Sequence, residues 1–103
     1  MSKAGKVKIR RLVLDVLKPL KEPSVIDVAK ALAKVKGVLA VNVTVNEVDV
    51  ETMGLIITIE GEDINFDDVE KELTRVGAVI HSVDQVVVGE KIIESTRPPQ
   101  AGT

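Results

Sequence analysis

Val41-Asn42-Val43-Thr44-Val45-Asn46-Glu47-Val48-Asp49-Val50, then Glu51-Thr52-Met53-Gly54, then Leu55-Ile56-Ile57-Thr58-Ile59-Glu60, is the stretch on which the fold turns. Val41, Val43 and Val45 alternate with Asn42, Thr44 and Asn46, the two-residue period of a strand with an inside and an outside. Beyond Asn46 the apolar parity moves to Val48 and Val50, so a bulge is expected near Asn46 or Glu47. The four residues 51–54 supply the turn, and the nearly continuous apolar run 55–60 suits a strand buried on both faces. Residues 38–60 therefore read as two strands in direct succession.

Helices flank this pair. Upstream, Ser24 with Asp27 three residues on forms a capping box, in which the hydroxyl and the carboxylate each answer a free backbone N–H of the first turn. Val25, Val28, Ala29, Leu32 and Val35 follow at helical spacing, with Gly37 as the left-handed stop. Downstream, Asn65 caps a second helix, Ile64 and Val69 are placed for a hydrophobic staple, Phe66, Val69, Leu73 and Val76 face inward, and Gly77 ends it. Residues 7–17, closed by Lys18-Pro19, read as a first strand, and residues 79–93 as a fourth strand with its extension.

Strand, helix, strand, strand, helix, strand is the α+β ferredoxin-like order βαββαβ. Right-handed crossovers then predict a four-stranded antiparallel sheet of order 4-1-3-2 with two helices on one face. The other face has no layer to cover it. It cannot all be polar, since the first strand has Leu12, Leu14 and Val16 on one side and Val13 and Leu17 on the other, and the third has Ile56 opposite Leu55 and Ile57; an apolar surface of that kind on a small domain marks an interface. One domain over residues 1–95 is expected, with residues 96–103 as a flexible tail lacking an apolar anchor.

Five segments, in order along residues 10–93, add a resemblance. They are Arg11-Leu12-Val13-Leu14-Asp15-Val16-Leu17-Lys18-Pro19, the step Gly37-Val38, Val45-Asn46-Glu47-Val48-Asp49 on to Thr52, Ile59-Glu60-Gly61, and Ile80-His81-Ser82-Val83-Asp84-Gln85-Val86. Together they resemble a small archaeal family, domain of unknown function 211. The resemblance implies a ferredoxin-like subunit that assembles with identical copies, and no assigned activity. This chain departs from the expected pattern at Gln85, where Glu is the commoner residue.

The formal net charge of −2 conceals an asymmetry: residues 1–46 hold ten Lys or Arg and three acids, and residues 47–103 hold four and thirteen. The plain reading is solvated faces. The sharper one pairs the basic surface of one copy with the acidic surface of the next, as in a head-to-tail ring. With no cysteine, disulfides and thiolate metal centres are excluded, and with no apolar run of membrane-span length the expected compartment is the cytoplasm. Phe66 is the sole aromatic and lies in a helical segment, so base stacking on the sheet finds no support; the basic start around Lys3, Lys6 and Lys8 could at most touch phosphates.

Candidate chemistry collects at one end of the predicted sheet. Strands one and two finish where three and four begin, so Asp15, Glu47, Asp49, Glu51 and His81 are expected together, and oxygen donors in that number suit Ca²⁺ or Mg²⁺. The metal set is Asp15, Glu47, Asp49, His81 and Asp84. Asp84 stands three residues after His81, on the opposite face of a regular strand, and both serve one site only across a bulge or a subunit boundary. A Ser82–His81–Asp84 triad is disfavoured, because neighbours on a strand point apart; the plain alternative is a structural His81 bonded to Asp15 or to a neighbouring carbonyl. No glycine-rich phosphate loop is present, and no catalytic residue is expected.

Two functions follow: a homo-oligomeric structural or regulatory module with cations at acidic strand ends, or a sensor of amino acids or nucleotides with its ligand at a subunit interface near Gly37 or Gly54.

Overall fold

A computed structural model describes residues 7–95. The expected order is realised as β1 (Ile9–Pro19), α1 (Val25–Ala33), β2 (Val38–Val48), β3 (Thr52–Gly61), α2 (Phe66–Val76) and β4 (Val79–Val88). The sheet runs β2-β3-β1-β4, which is 4-1-3-2 read from its other edge, and every neighbouring pair is antiparallel. The basic start at Lys3 and Lys6 and the tail 96–103 lie outside the described residues.

Alternation along each strand sorts two faces. Leu12, Leu14 and Val16 of β1 and Leu55, Ile57 and Ile59 of β3 are buried with Val28, Leu32, Val69 and Leu73 of the helices. Each such aliphatic side chain contributes about 1.5–3 kcal/mol by leaving water. Both caps match the sequence: the Ser24 hydroxyl accepts the Asp27 N–H at 3.0 Å while an Asp27 carboxylate oxygen accepts the Ser24 N–H, and the Asn65 carbonyl oxygen accepts the Asp68 N–H. Gly77 closes α2 in the left-handed region, φ 96°.

Three local expectations change. α1 ends at Ala33, before Gly37: Val35 N–H bonds the Leu32 carbonyl and Val38 N–H the Val35 carbonyl, so two tight turns carry buried Val35 under the core ahead of the left-handed Gly37. β4 stops at Val88, not Ile93, because Gly89 at φ +126° turns the chain away from the ladder. The open face is also less apolar than expected. Val13 and Ile56 are half-buried among polar neighbours, Leu17 alone of the three is exposed, and exposed valines line both free edges: Val79, Val83, Val86 and Val88 on β4, Val45 and Val48 on β2.

Lys18 is 2% exposed, and its ammonium donates to the carbonyls of Pro19 at 2.7 Å and Leu20 at 3.2 Å. Its stem continues the apolar row of β1 while its head closes the loop into α1. Lys18→Ala removes both, leaving a void and two carbonyls without their donor, and should lower unfolding stability by about 2–4 kcal/mol. Urea denaturation measures this; Lys18→Met, which keeps the stem, should recover part of the loss.

Candidate functional site

The register arranges the open face as rows crossing β2, β3, β1 and β4. From the hairpin end downward they are Glu47–Gly54–Leu17–Val79, Thr44–Ile56–Asp15–Ser82, Asn42–Thr58–Val13–Gln85 and Ala40–Glu60–Arg11–Val87. The slip expected near Asn46 is present: Val45 pairs with Leu55 and Glu47 with Gly54, leaving Asn46 as the extra residue.

β4 holds two further irregularities, at the residues that stood out in the sequence. Pairing with β1 passes from Gln85–Val13 to Val83–Leu14, stepping over Asp84, and from Ser82–Asp15 to Ile80–Val16, stepping over His81. Each slip reverses side-chain parity, so Ser82 and Gln85, three apart in sequence, both stand on the open face opposite Asp15 and Val13. The Ser82 hydroxyl donates to Asp84 Oδ1 at 2.7 Å. His81 is exposed and makes no hydrogen bond or ion pair among the described residues, so the structural histidine anchored to Asp15 or a carbonyl is not what forms. Ser82 is bonded to a carboxylate and not to an imidazole, so the Ser–His contact that a triad needs is not made.

The acids expected to gather in one subunit divide instead between two edges. His81 and Asp84 lie on β4 and Asp15 beside them on β1, whereas Glu47 and Asp49 lie at the far end of β2, with β3 between that strand and Asp15. Among the described residues no three His, Cys, Asp or Glu groups come together closely enough to hold a metal ion. The physical reason is lateral: ending at the same rim does not bring edge strands together when two other strands intervene at about 4.8 Å each. Asp49 is partly spent on its own turn, its carboxylate accepting the Val50 N–H and its N–H donating to the Thr52 carbonyl, both at 2.8 Å.

A cluster unmarked by local sequence pattern occupies the other end of the open face. Arg11 Nε donates to Glu60 Oε2, and Nη1 and Nη2 donate to the two oxygens of Glu94, all at 2.8 Å, with Gln85 Oε1 at 3.3 Å from Nη1. The Arg11 hydrogen bond holds the Glu94 carboxyl below its ordinary value of 4.5, and Arg11 itself is raised, first by Glu94 and then by Glu60. Because the folded value of Glu94 is depressed, this link is complete above the ordinary glutamate range and is lost as pH falls through the folded value. Glu94 is 83 residues from Arg11, beyond any periodicity a sequence displays.

The sensor sites fare unequally. A side chain on Gly37 would overlap the Asp63 carbonyl, and one on Gly61 the Gly37 carbonyl, so backbone already fills the space beside Gly37. Gly54 lies under Glu47 on the open face at ordinary contact distance. A concavity of about 490 Å³ opens between the helices, bordered by Asp27, Lys30, Lys34 and Arg75, and its charges are mixed and solvated. No helix among the described residues is long and apolar enough to cross a membrane.

Residues 10–102 match the model of a family described as an uncharacterized ArCR, domain of unknown function 211. An uncharacterized protein of the archaeon Methanocaldococcus jannaschii is 47% identical over 92 residues, which are 89% of this chain and 94% of that protein.

Proposed function

The chain belongs to the domain-of-unknown-function 211 family, and from that premise we propose that it is a cytoplasmic homo-oligomeric module whose copies join through their sheet edges and bind divalent cations where acidic strand ends meet. The observation that carries this reading is the pair of free edges. β2 and β4 each have one neighbour, and β4 presents Val79, Val83, Val86 and Val88 to water. Asp84 and the two slips on β4 blunt that edge only as far as Asp84, and the rest, with apolar side chains and no proline, still invites another strand.

Direction favours the pairing. With every neighbour antiparallel, β2 and β4 run opposite ways, so β4 of one copy beside β2 of the next would continue the same antiparallel sheet, head to tail. In that arrangement the end of β2, with Glu47 and Asp49, lies at the same rim as the start of β4, with His81 and Asp84. The ligand set that one subunit divides between two edges is thereby reunited across a boundary. Oxygen donors around one imidazole suit Ca²⁺ or Mg²⁺ better than a thiophilic metal.

Size-exclusion chromatography with light scattering at micromolar concentration should give one discrete mass, a multiple of 11.1 kDa. The cation part is tested separately, by melting in EDTA and in millimolar Ca²⁺ or Mg²⁺. A ligand at a hundred times its dissociation constant adds about 2.7 kcal/mol, and Asp84→Asn with Glu47→Gln should abolish the shift. A monomer sinks the assembly; an assembly indifferent to cations sinks only the metal.

A further inference from the structure

Val87 is 7% exposed although its neighbours on the same edge strand, Val86 and Val88, are 49% and 44% exposed. It shares the last open-face row with Arg11. The described chain that reaches this row from outside the sheet is the segment after β4, which Gly89 turns back and Glu94 ties to Arg11. Gly89 is a hinge by construction: its φ of +126° is glycine territory, and nothing lies within 4 Å of where a side chain would stand.

The returning segment is held by charge. Gly89 N–H donates to the Lys8 carbonyl at 2.8 Å, and Arg10 Nε donates to the Gly89 carbonyl at 2.6 Å. Beyond that hinge no backbone hydrogen bond fixes residues 90–95 among the described residues, and the far end rests on the two-pronged contact between Glu94 and Arg11. Glu60, from β3, also pairs with Arg11, at 2.7 Å. Departure of Glu94 would therefore leave the guanidinium, 14% exposed, with a carboxylate still in place and no stranded charge. A fastening whose departure strands no charge, at the end of a segment that no backbone bond holds beyond Gly89, is a releasable one.

We propose that residues 89–95 form a charge-latched strap over the Arg11–Val87 end of the open face, with Arg11 as a carboxylate-binding site filled by the chain's own Glu94. Released, the strap uncovers Val87 and leaves Arg11 able to accept a carboxylate from another extended segment. The inference stands apart from the edge-to-edge assembly, since it needs only one chain.

The chain has no cysteine, so a single introduced thiol reports the cover directly. In the full-length protein, Val87→Cys should react slowly with a thiol reagent, and adding Glu94→Gln, which keeps an acceptor but removes its charge, should raise the rate about five- to tenfold, the factor of one ordinary hydrogen bond. High salt, which shortens the screening length to about 3 Å at 1 M, should do the same without mutation. Ile26→Cys, on α1 rather than at the strap or either sheet edge and 65% exposed, should react at one rate in both backgrounds. An unchanged Val87→Cys rate, or an Ile26→Cys rate rising in step, would overturn the latch. Should Val87→Cys disturb the strand, Gln85→Cys, which borders Arg11 on the same face, gives the same comparison.

Discussion

Gly61→Ala should unfold this protein at a far lower denaturant concentration than the parent chain, by at least about 3–4 kcal/mol of stability, while Gly54→Ala leaves it within about 0.5 kcal/mol. The difference lies in what a methyl group would meet. At Gly61 it overlaps the carbonyl of Gly37, the same carbonyl that accepts the Glu62 N–H at 3.0 Å, so the end of β3 and the turn before β2 must part and a backbone hydrogen bond is lost. Neither side can yield by rotating a side chain, since both are backbone. At Gly54 the added carbon sits 3.6 Å from Glu47 Cβ, an ordinary contact. Gly37→Ala should rank beside Gly61→Ala, because overlap with the Asp63 carbonyl adds to the roughly 1–2 kcal/mol of a left-handed φ of 89°. Near 4–8 °C per kcal/mol for a domain of this size, the loss at Gly61 corresponds to a melting point lower by roughly 12–32 °C. Equal midpoints for Gly54→Ala and Gly61→Ala would show that the close approach does not exist.

If the proposed edge-to-edge assembly forms, the double substitution Val83→Lys with Val86→Lys should reduce it to single chains of 11.1 kDa with the fold unchanged. Both valines are about half exposed in the isolated subunit, so each exchange alone should alter its stability by no more than about 0.5 kcal/mol. In the edge-to-edge assembly both would be covered. Each loses about 1.5 kcal/mol or more of apolar burial there, and two ammonium groups must also leave water, so association should weaken by more than about a thousandfold. Inward-facing lysines are a device by which natural edge strands avoid pairing. Light scattering beside circular dichroism separates the outcomes: a retained multimer removes the β4 edge from the interface, and a lost fold would show that the valines serve the subunit core.

Much of the fold is legible residue by residue. Ser24 with Asp27, Asn65 and Gly77 mark helix ends through contacts spanning three or four residues, and the parity change after Asn46 announces a bulge within one strand. The end of β4 is less readable. β-branched residues return at Ile92 and Ile93 after Val88, and the backbone angle at Gly89 turns the chain out of the ladder before them. The candidate site is less legible still. The acids share a rim but not a neighbourhood, because shared strand polarity says nothing about how many strands stand between two edges. His81 and Asp84 are conspicuous in the sequence, yet that both mark slips in pairing is visible only beside β1.

By itself, then, the sequence determined the order of elements, the side of each helix that turns inward, and the family. These rest on periods of two and about 3.6 residues and on caps a few residues long, all contained within one stretch of chain. The tertiary structure alone decided the three-way meeting of Arg11 with Glu60 and Glu94, the placement of Ser82 and Gln85 on one face, the contact between Gly37 and Gly61, and the division of carboxylates between opposite edges. Each depends on the register between strands distant in sequence, which is set where the strands pack against one another and leaves no periodic trace in either strand.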